Sequence, residues 1–288
     1  MSDLFLSALA SGLMLGGFYA AVTLGLTLAF GYLNVVNIAH PAFVLLGSYA
    51  VYGVNARWGV DPVLAGAGLA PLFFVLGVAV YSLYQASFEA REDESLRGLA
   101  FFFGLMFLIE VGLILSYGVD YRLVSAPYIG PTVALGAVLL PTRMLVPFLV
   151  ALAMVWALQL YLARTFTGRA IRAVAQDQQA LRLVAADPVR IKRLAFGIAI
   201  ATACIAGALL VVIGPVEPSM GRAYIGRVFA IVVLGGMGSA GGTLLAALVL
   251  GLAESITSTY YGPSWSPAVA FGFLLFALAV RPAGLLGR

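Results

Sequence analysis

Three ionisable side chains stand inside long apolar runs of this sequence: His40, Glu110 and Glu254. A charge in a hydrocarbon environment is expensive, so such groups are candidates for function by default. Glu110 lies near the middle of the run from Leu99 to Tyr117. Two roles fit it: a protonated or hydrogen-bonded carboxyl between helices, or a contact for a substrate or a proton. Glu254 stands closer to the end of its run and reads as a helix-packing or interfacial partner. His40 is the single histidine, and Asn37 joins it in interrupting the run from Val35 to Val54. Unwound backbone at membrane depth is tolerated where protein buries it or where it lines a cavity. Residues 37–41 are therefore a candidate element of a translocation path. One histidine without partners builds no metal site, and the lone Cys204 forms no intrachain disulfide. An enzyme in the membrane would have to assemble its nucleophile and base from distant spans, because His40 has no acidic or thiol neighbour in the sequence.

A second group is glycine-rich. Residues 235–242 read Gly-Gly-Met-Gly-Ser-Ala-Gly-Gly. The glycine density suits a phosphate cradle, but the Lys-Ser/Thr of a P-loop is missing here and everywhere else in the chain. Any ATP hydrolysis therefore belongs to another chain. Gly235, Gly236 and Gly238 read either as a tight break between two half-spans beside a transport path or as close helix packing.

The third group is the longest polar stretch, Arg164 to Arg193. Ile171, Val174, Ala175, Leu181 and Ala185 recur near helical spacing, while Arg169, Arg172, Gln176 and Gln179 fall on another face. That pattern predicts an amphipathic helix. It rests on anionic lipid, or it docks a cytoplasmic partner. In the second case Ile171, Val174 and Ala175 fill a groove, Arg169 and Arg172 meet acids at its rim, and Gly168 lets the chain turn sharply into the helix.

What must position these groups is a membrane bundle. Of 288 residues, 62% are hydrophobic and 10% charged, against about 25% charged in soluble domains. Apolar runs near or above the length of a span recur along the chain: about 4–32, 35–54, 63–84, 99–117, 145–162, 194–213 and 268–280. Two shorter pieces, 228–234 and 244–252, flank the glycines. The expected fold is an all-α integral membrane protein with about eight, up to ten, transmembrane or half-spanning helices, organised as one transmembrane domain over 1–288. Residues 118–142, broken by Pro127, Pro131 and Pro141, read as an external loop with a short helix. The start, Met1-Ser2-Asp3, lacks a basic n-region, so the first run reads as a retained span.

Fifteen of the sixteen basic residues are Arg, and they cluster between the runs. That argues for membrane orientation and against nucleic-acid binding. Placing 89–97, 164–193 and the C-terminus in the cytoplasm puts eleven basic residues there and leaves five outside: Arg57, Arg122, Arg143, Arg222 and Arg227. A weak internal repeat relates 24–48 to 194–239: each has an apolar helix, a break, and an apolar segment ending in Gly-Ser or Gly-Gly-Met-Gly-Ser.

Gly168-Arg-Ala-Ile-Arg-Ala-Val-Ala-Gln-Asp177, with Ala180, Leu183 and Val189-Arg190, resembles the coupling segment of the branched-chain amino acid ABC importer permeases. So do Leu15-Gly-Gly-Phe-Tyr-Ala20, Gly25-Leu-Thr-Leu-Ala-Phe-Gly31, Val233-Leu-Gly-Gly-Met-Gly-Ser239, Gly251-Leu-Ala-Glu254 and Arg281-Pro-Ala-Gly-Leu-Leu-Gly287. The motifs come in family order over nearly the whole chain, and Asn37-Ile-Ala-His40 is similar to the H-type subunit rather than the M-type. The resemblance implies a translocation subunit in the bacterial inner membrane, with a cytoplasmic C-terminus and no cofactor. Its implied partners are an M-type permease or a second copy of itself, two cytoplasmic ATPases, a periplasmic binding protein and membrane lipid. The coupling residues would be Gly168, Arg169, Ile171, Arg172, Val174, Ala175 and Asp177. The path would pass Asn37, His40, Glu110, Gly235, Gly236, Gly238 and Glu254. Leucine, isoleucine or valine is the implied cargo; relatives that take urea, short amides or aromatic acids share the pattern.

The chain also departs from the family. Pro41-Ala42 follows the histidine, where the family has Gly then an acidic or small residue. Glu110 stands where the family has glutamine, and a family glycine is replaced near Ala185. The loop before the fourth span is short and acidic and lacks a Tyr-Arg-Pro-like motif. An ATP-independent transporter or channel, with Glu110 as its ion site, is the alternative reading; a membrane enzyme is the second.

Overall fold

The computed structural model describes residues 2–89, 94–135, 138–183, 185–280 and 284–286. Arg91, Arg281 and Arg288, counted above as cytoplasmic, lie outside the described residues. Eleven α-helices follow one another: α1 Ser2–Gly31, α2 His40–Trp58, α3 Pro62–Tyr84, α4 Glu94–Tyr117, α5 Thr142–Arg164, α6 Phe166–Gln176, α7 Gln178–Leu183, α8 Pro188–Ile213, α9 Gly221–Gly235, α10 Ala240–Tyr261 and α11 Ser266–Val280. Six are long and apolar enough to cross a membrane: α1, α3, α4, α5, α8 and α10. With the shorter α2, α9 and α11 the described residues hold nine membrane-depth helices, within the range expected.

Burial sorts these spans. In α1 and α8, 83% and 78% of the apolar window is enclosed by the chain, against 22% and 28% in α3 and α4. So α1 and α8 form the core, and the chain leaves most of the surface of α3 and α4 uncovered. Small residues permit the tightest contact: Gly12 and Gly16 of α1 lie directly against the backbone of Leu252 and Leu248 in α10.

The weak repeat becomes an inverted one in three dimensions. Helix α1 runs toward the face that carries α6, because its last residue, Gly31, meets Gly238 and shares a cavity with α6. Helix α8 starts on that same face, directly after α7, and runs away from it. After each comes a break and then a shortened helix, α2 or α9. The broadest packing is α3 on α8 and α1 on α10, which exchange under the relation α1 to α8 and α3 to α10. Both short helices begin inside the bundle. His40, at the start of α2, bonds to Val22 of α1, nine residues or about 13 Å above the end of that helix. Gly221, at the start of α9, faces Leu45 and Ala42 near the start of α2. Helix α2 then runs out to Trp58, and α9 runs the other way, to the α6 face.

Two expectations are corrected. Residues 118–141 hold no helix among the described residues. They contain a hairpin of β1 Thr132–Leu135 and β2 Val138–Pro141, antiparallel with Thr132 opposite Pro141. Prolines at 127, 131 and 141 deny a helix its donors, and β-branched Thr132, Val133 and Val138 suit a strand. This segment is pinned at the face opposite α6 by Arg122, which exchanges backbone bonds of 2.9 and 3.0 Å with Val216. Second, 164–193 is not one amphipathic helix. Asp177 caps α7 through Gln179 N at 2.8 Å, and Asp187 with Pro188 starts α8. Each aspartate satisfies the free amides of a new helix, so the chain turns twice.

Candidate functional site: a cavity beneath helix α6

Thr165 caps α6, its Oγ1 accepting from Gly168 N at 3.0 Å. Gly168 is needed for close approach rather than for a turn. It lies inside the helix, and a Cβ there would sit 2.5 Å from the Cα of Leu162 in α5. This contact presses α6 flat against the end of α5. As a result Ile171 and Val174 are buried, 1% and 2% exposed, against the chain's own helices. The expectation that they fill a partner's groove is thereby corrected: the free face of α6 carries Phe166, Arg169, Arg172, Ala175 and Gln176. Asp177 is spent as the cap of α7.

Beside that free face is a cavity of about 660 Å3. Arg169, Arg172, Ala175 and Gln176 of α6 line one side, Gln159 of α5 a second, Gly31 and Tyr32 at the end of α1 a third, and residues 237–241 a fourth. The glycine-rich segment is thus the loop between α9 and α10. It sits at the α6 face, and α10 beyond it is a full-length span, which corrects the picture of two half-spans broken in mid-membrane. Gly236 and Gly238 adopt φ of 92° and 79° there, conformations that disfavour any side chain. Ser239 caps α10 by accepting from Gly242 N at 3.1 Å. The described C-terminal residues close the same region: Leu285 N donates to Leu234 O at 2.7 Å and Leu286 N to Gly235 O at 3.2 Å. The structure therefore brings Arg169, Arg172 and Ala175 together with Gly238, two groups more than 60 residues apart in sequence.

The other candidates lie deeper, away from this cavity. Asn37 and His40 are fully buried in the break between α1 and α2. His40 Nε2–H donates to the Val22 carbonyl at 2.9 Å, while His40 Nδ1 and both side-chain polar atoms of Asn37 meet no protein partner. Glu110 is bound by Arg222: Nε donates to Oε2 at 2.9 Å and Nη2 to Oε1. Glu254 sits two turns inside α10 and is held by Arg227 Nε at 3.0 Å and by the Tyr19 hydroxyl at 2.7 Å. Its side chain is 3% exposed and that of Arg227 16%. Arg222 and Arg227 are therefore not outside-loop residues, as the charge count had them, but the partners of the two membrane acids. The available signal was charge matching: two acids and two arginines each fall in or beside apolar segments. Tyr19 and Ser239 stood in the sequence only as members of longer motifs, and Gln159 gave no signal.

Both ion pairs fasten α9 to its neighbours, α4 and α10. A multi-pass helix bundle with inverted halves, two shortened helices meeting at depth and a basic helix flat on one face is a membrane permease component. The chain belongs to the family described as branched-chain amino acid transport system / permease component, whose model matches residues 8–278. It is 29% identical to the high-affinity branched-chain amino acid transport system permease protein BraD of Pseudomonas aeruginosa, over 99% of this chain and 96% of that one. It is 28% identical to the permease protein LivH of Escherichia coli K12 over the same shares. A shorter match, 37% identical over 150 residues, joins half of this chain to about a third of LivM from Salmonella typhimurium. No solved structure matches.

Proposed function

We propose that this chain is the H-type translocation subunit of an ATP-driven importer of branched-chain amino acids in the bacterial inner membrane. An M-type permease forms the other half of the path, two ATPases bind on the α6 side, and a binding protein delivers cargo to the opposite side. The C-terminus lies in the cytoplasm, on the face that carries α6. The observation that carries this reading is the shared cavity: the free face of α6 stands against the α9–α10 loop, so a push on α6 reaches α9, which carries the arginine of both ion pairs. Ala175, exposed on α6, is the docking position, flanked by Arg172 and Gln176. Arg169 lies on the same exposed face of α6, one turn before. Asn37 and His40, buried with unfilled hydrogen-bonding capacity, belong to the moving break beside the path.

The test is copurification of the ATPase and cargo-stimulated hydrolysis with Ala175→Glu. The expected result is loss of the ATPase, or hydrolysis that no longer responds to cargo, from a chain that still purifies normally. Unchanged values in both assays would leave α6 as a helix resting on lipid.

A further inference from the structure

The cavity beneath α6 is one-sided in charge. Arg169 and Arg172 line it, and among the described residues no Asp or Glu does. Neither guanidinium has an ion-pair or hydrogen-bond partner among the described residues; Asp187, Glu110 and Glu254 pair with Arg190, Arg222 and Arg227. Opposite them begins α10, a helix of 22 residues. Ser239 satisfies Gly242 N through its hydroxyl and Thr243 N through its carbonyl at 2.8 Å. The preceding amides, of Ala240 and Gly241, belong to residues that line the cavity and have no carbonyl in their own helix to bind. The Gln159 amide completes the ring, 3.6 Å from where Gly241 would carry a Cβ.

We propose that this cavity is a binding site for an oxyanion, a carboxylate or phosphate group, held between Arg169, Arg172 and the first turn of α10. Two guanidinium forks give paired, charge-assisted bonds to such a group. The helix start adds amides and a partial positive charge. Among the described residues no acid in the lining offsets that charge. At about 660 Å3 the space exceeds a lone phosphate and falls in the range of small-molecule sites. Two sources carry the chemistry: the headgroup of an anionic lipid, and a free solute anion on the α6 side.

The full chain carrying Gln176→Cys provides the probe, because its native thiol, Cys204, is fully buried. In phosphatidylcholine nanodiscs, its rate of modification by a sulfonate-bearing thiol reagent is compared with that of a trimethylammonium analogue. The anionic reagent is expected to react about tenfold faster, and inorganic phosphate to slow it saturably. Replacing Arg169→Gln and Arg172→Gln together, both exposed, should remove the preference and the protection while the chain elutes unchanged. In phosphatidylglycerol nanodiscs, a rate already slowed and insensitive to phosphate assigns the site to a lipid headgroup. A rate equal to that in phosphatidylcholine, still sensitive to phosphate, assigns it to a free anion. Failure of both phosphate and phosphatidylglycerol to slow the reaction saturably would overturn the site and leave the arginines as contacts for an acidic protein partner.

Discussion

Glu254, Arg227 and Tyr19 form one hydrogen-bonded group at the junction of α1, α9 and α10. Removing the acid strands a guanidinium whose side chain is only 16% exposed. Breaking a buried pair from one side costs about 3–5 kcal/mol, whereas replacing both members with apolar residues is near neutral. Glu254→Ala should therefore lower the thermal midpoint of the solubilised chain sharply, and Arg227→Met with Glu254→Met should restore most of it. Glu110→Gln should be mild by the same assay, because Arg222 is 54% exposed and keeps solvent. Equal effects at the two glutamates would contradict this ranking. Ala185 carries a different strain: its φ is 59°, where a Cβ crowds the backbone. The sequence placed the loss of a family glycine near this position, and a left-handed backbone is a conformation that favours glycine. Ala185→Gly should stabilise the α7–α8 connection by about 1 kcal/mol, read as slower hydrogen exchange over residues 178–187.

At the scale of elements, long spans were legible nearly end to end, and the short α2 and α9 were legible as apolar runs but not at their starts. Runs such as 194–213 needed only hydropathy, because lipid demands an unbroken apolar helix. Helices α2 and α9 begin inside the bundle, so their polar starts, Asn37-Ile-Ala-His40 and Gly221-Arg222, looked like loop. Periodicity also found α6 but assigned its faces the wrong way round. An apolar stripe does not say whether it packs on its own chain or on a partner, and Gly168 decides that only once Leu162 is seen beneath it. The two faces give a paired prediction. Val174→Glu buries a charge without a partner and should cost several kcal/mol, more than about 3, with loss of monodisperse protein. Ala175→Glu, one residue on and exposed, should leave yield and melting unchanged. Equal damage from both would mean that α6 is oriented otherwise.

For the whole molecule, the arrangement of faces follows from arginine. Once Arg222 and Arg227 are recognised as partners of membrane acids, the opposite side keeps only Arg57, Arg122 and Arg143, and the bias toward the α6 side grows. A thiol at Gln178→Cys should be shielded from an impermeant reagent added to intact cells, and one at Trp58→Cys, 70% exposed on the other face, should react. The reverse pattern would invert the topology. The inverted repeat was faint in sequence because the two halves share only an order of helix, break and short helix, with no residue-for-residue match; contact between α1 and α10, mirrored by α8 and α3, makes it visible.

Uptake into proteoliposomes tests the central claim, that this permease moves cargo only when an ATPase acts on it through α6. Labelled leucine is offered with binding protein to vesicles holding the chain alone, or the chain with its M-type partner and ATPases, with ATP on the ATPase side. The account predicts uptake only in the complete set, abolished by Ala175→Glu. Uptake at an equal rate by the chain alone, without ATPase or ATP, would contradict it.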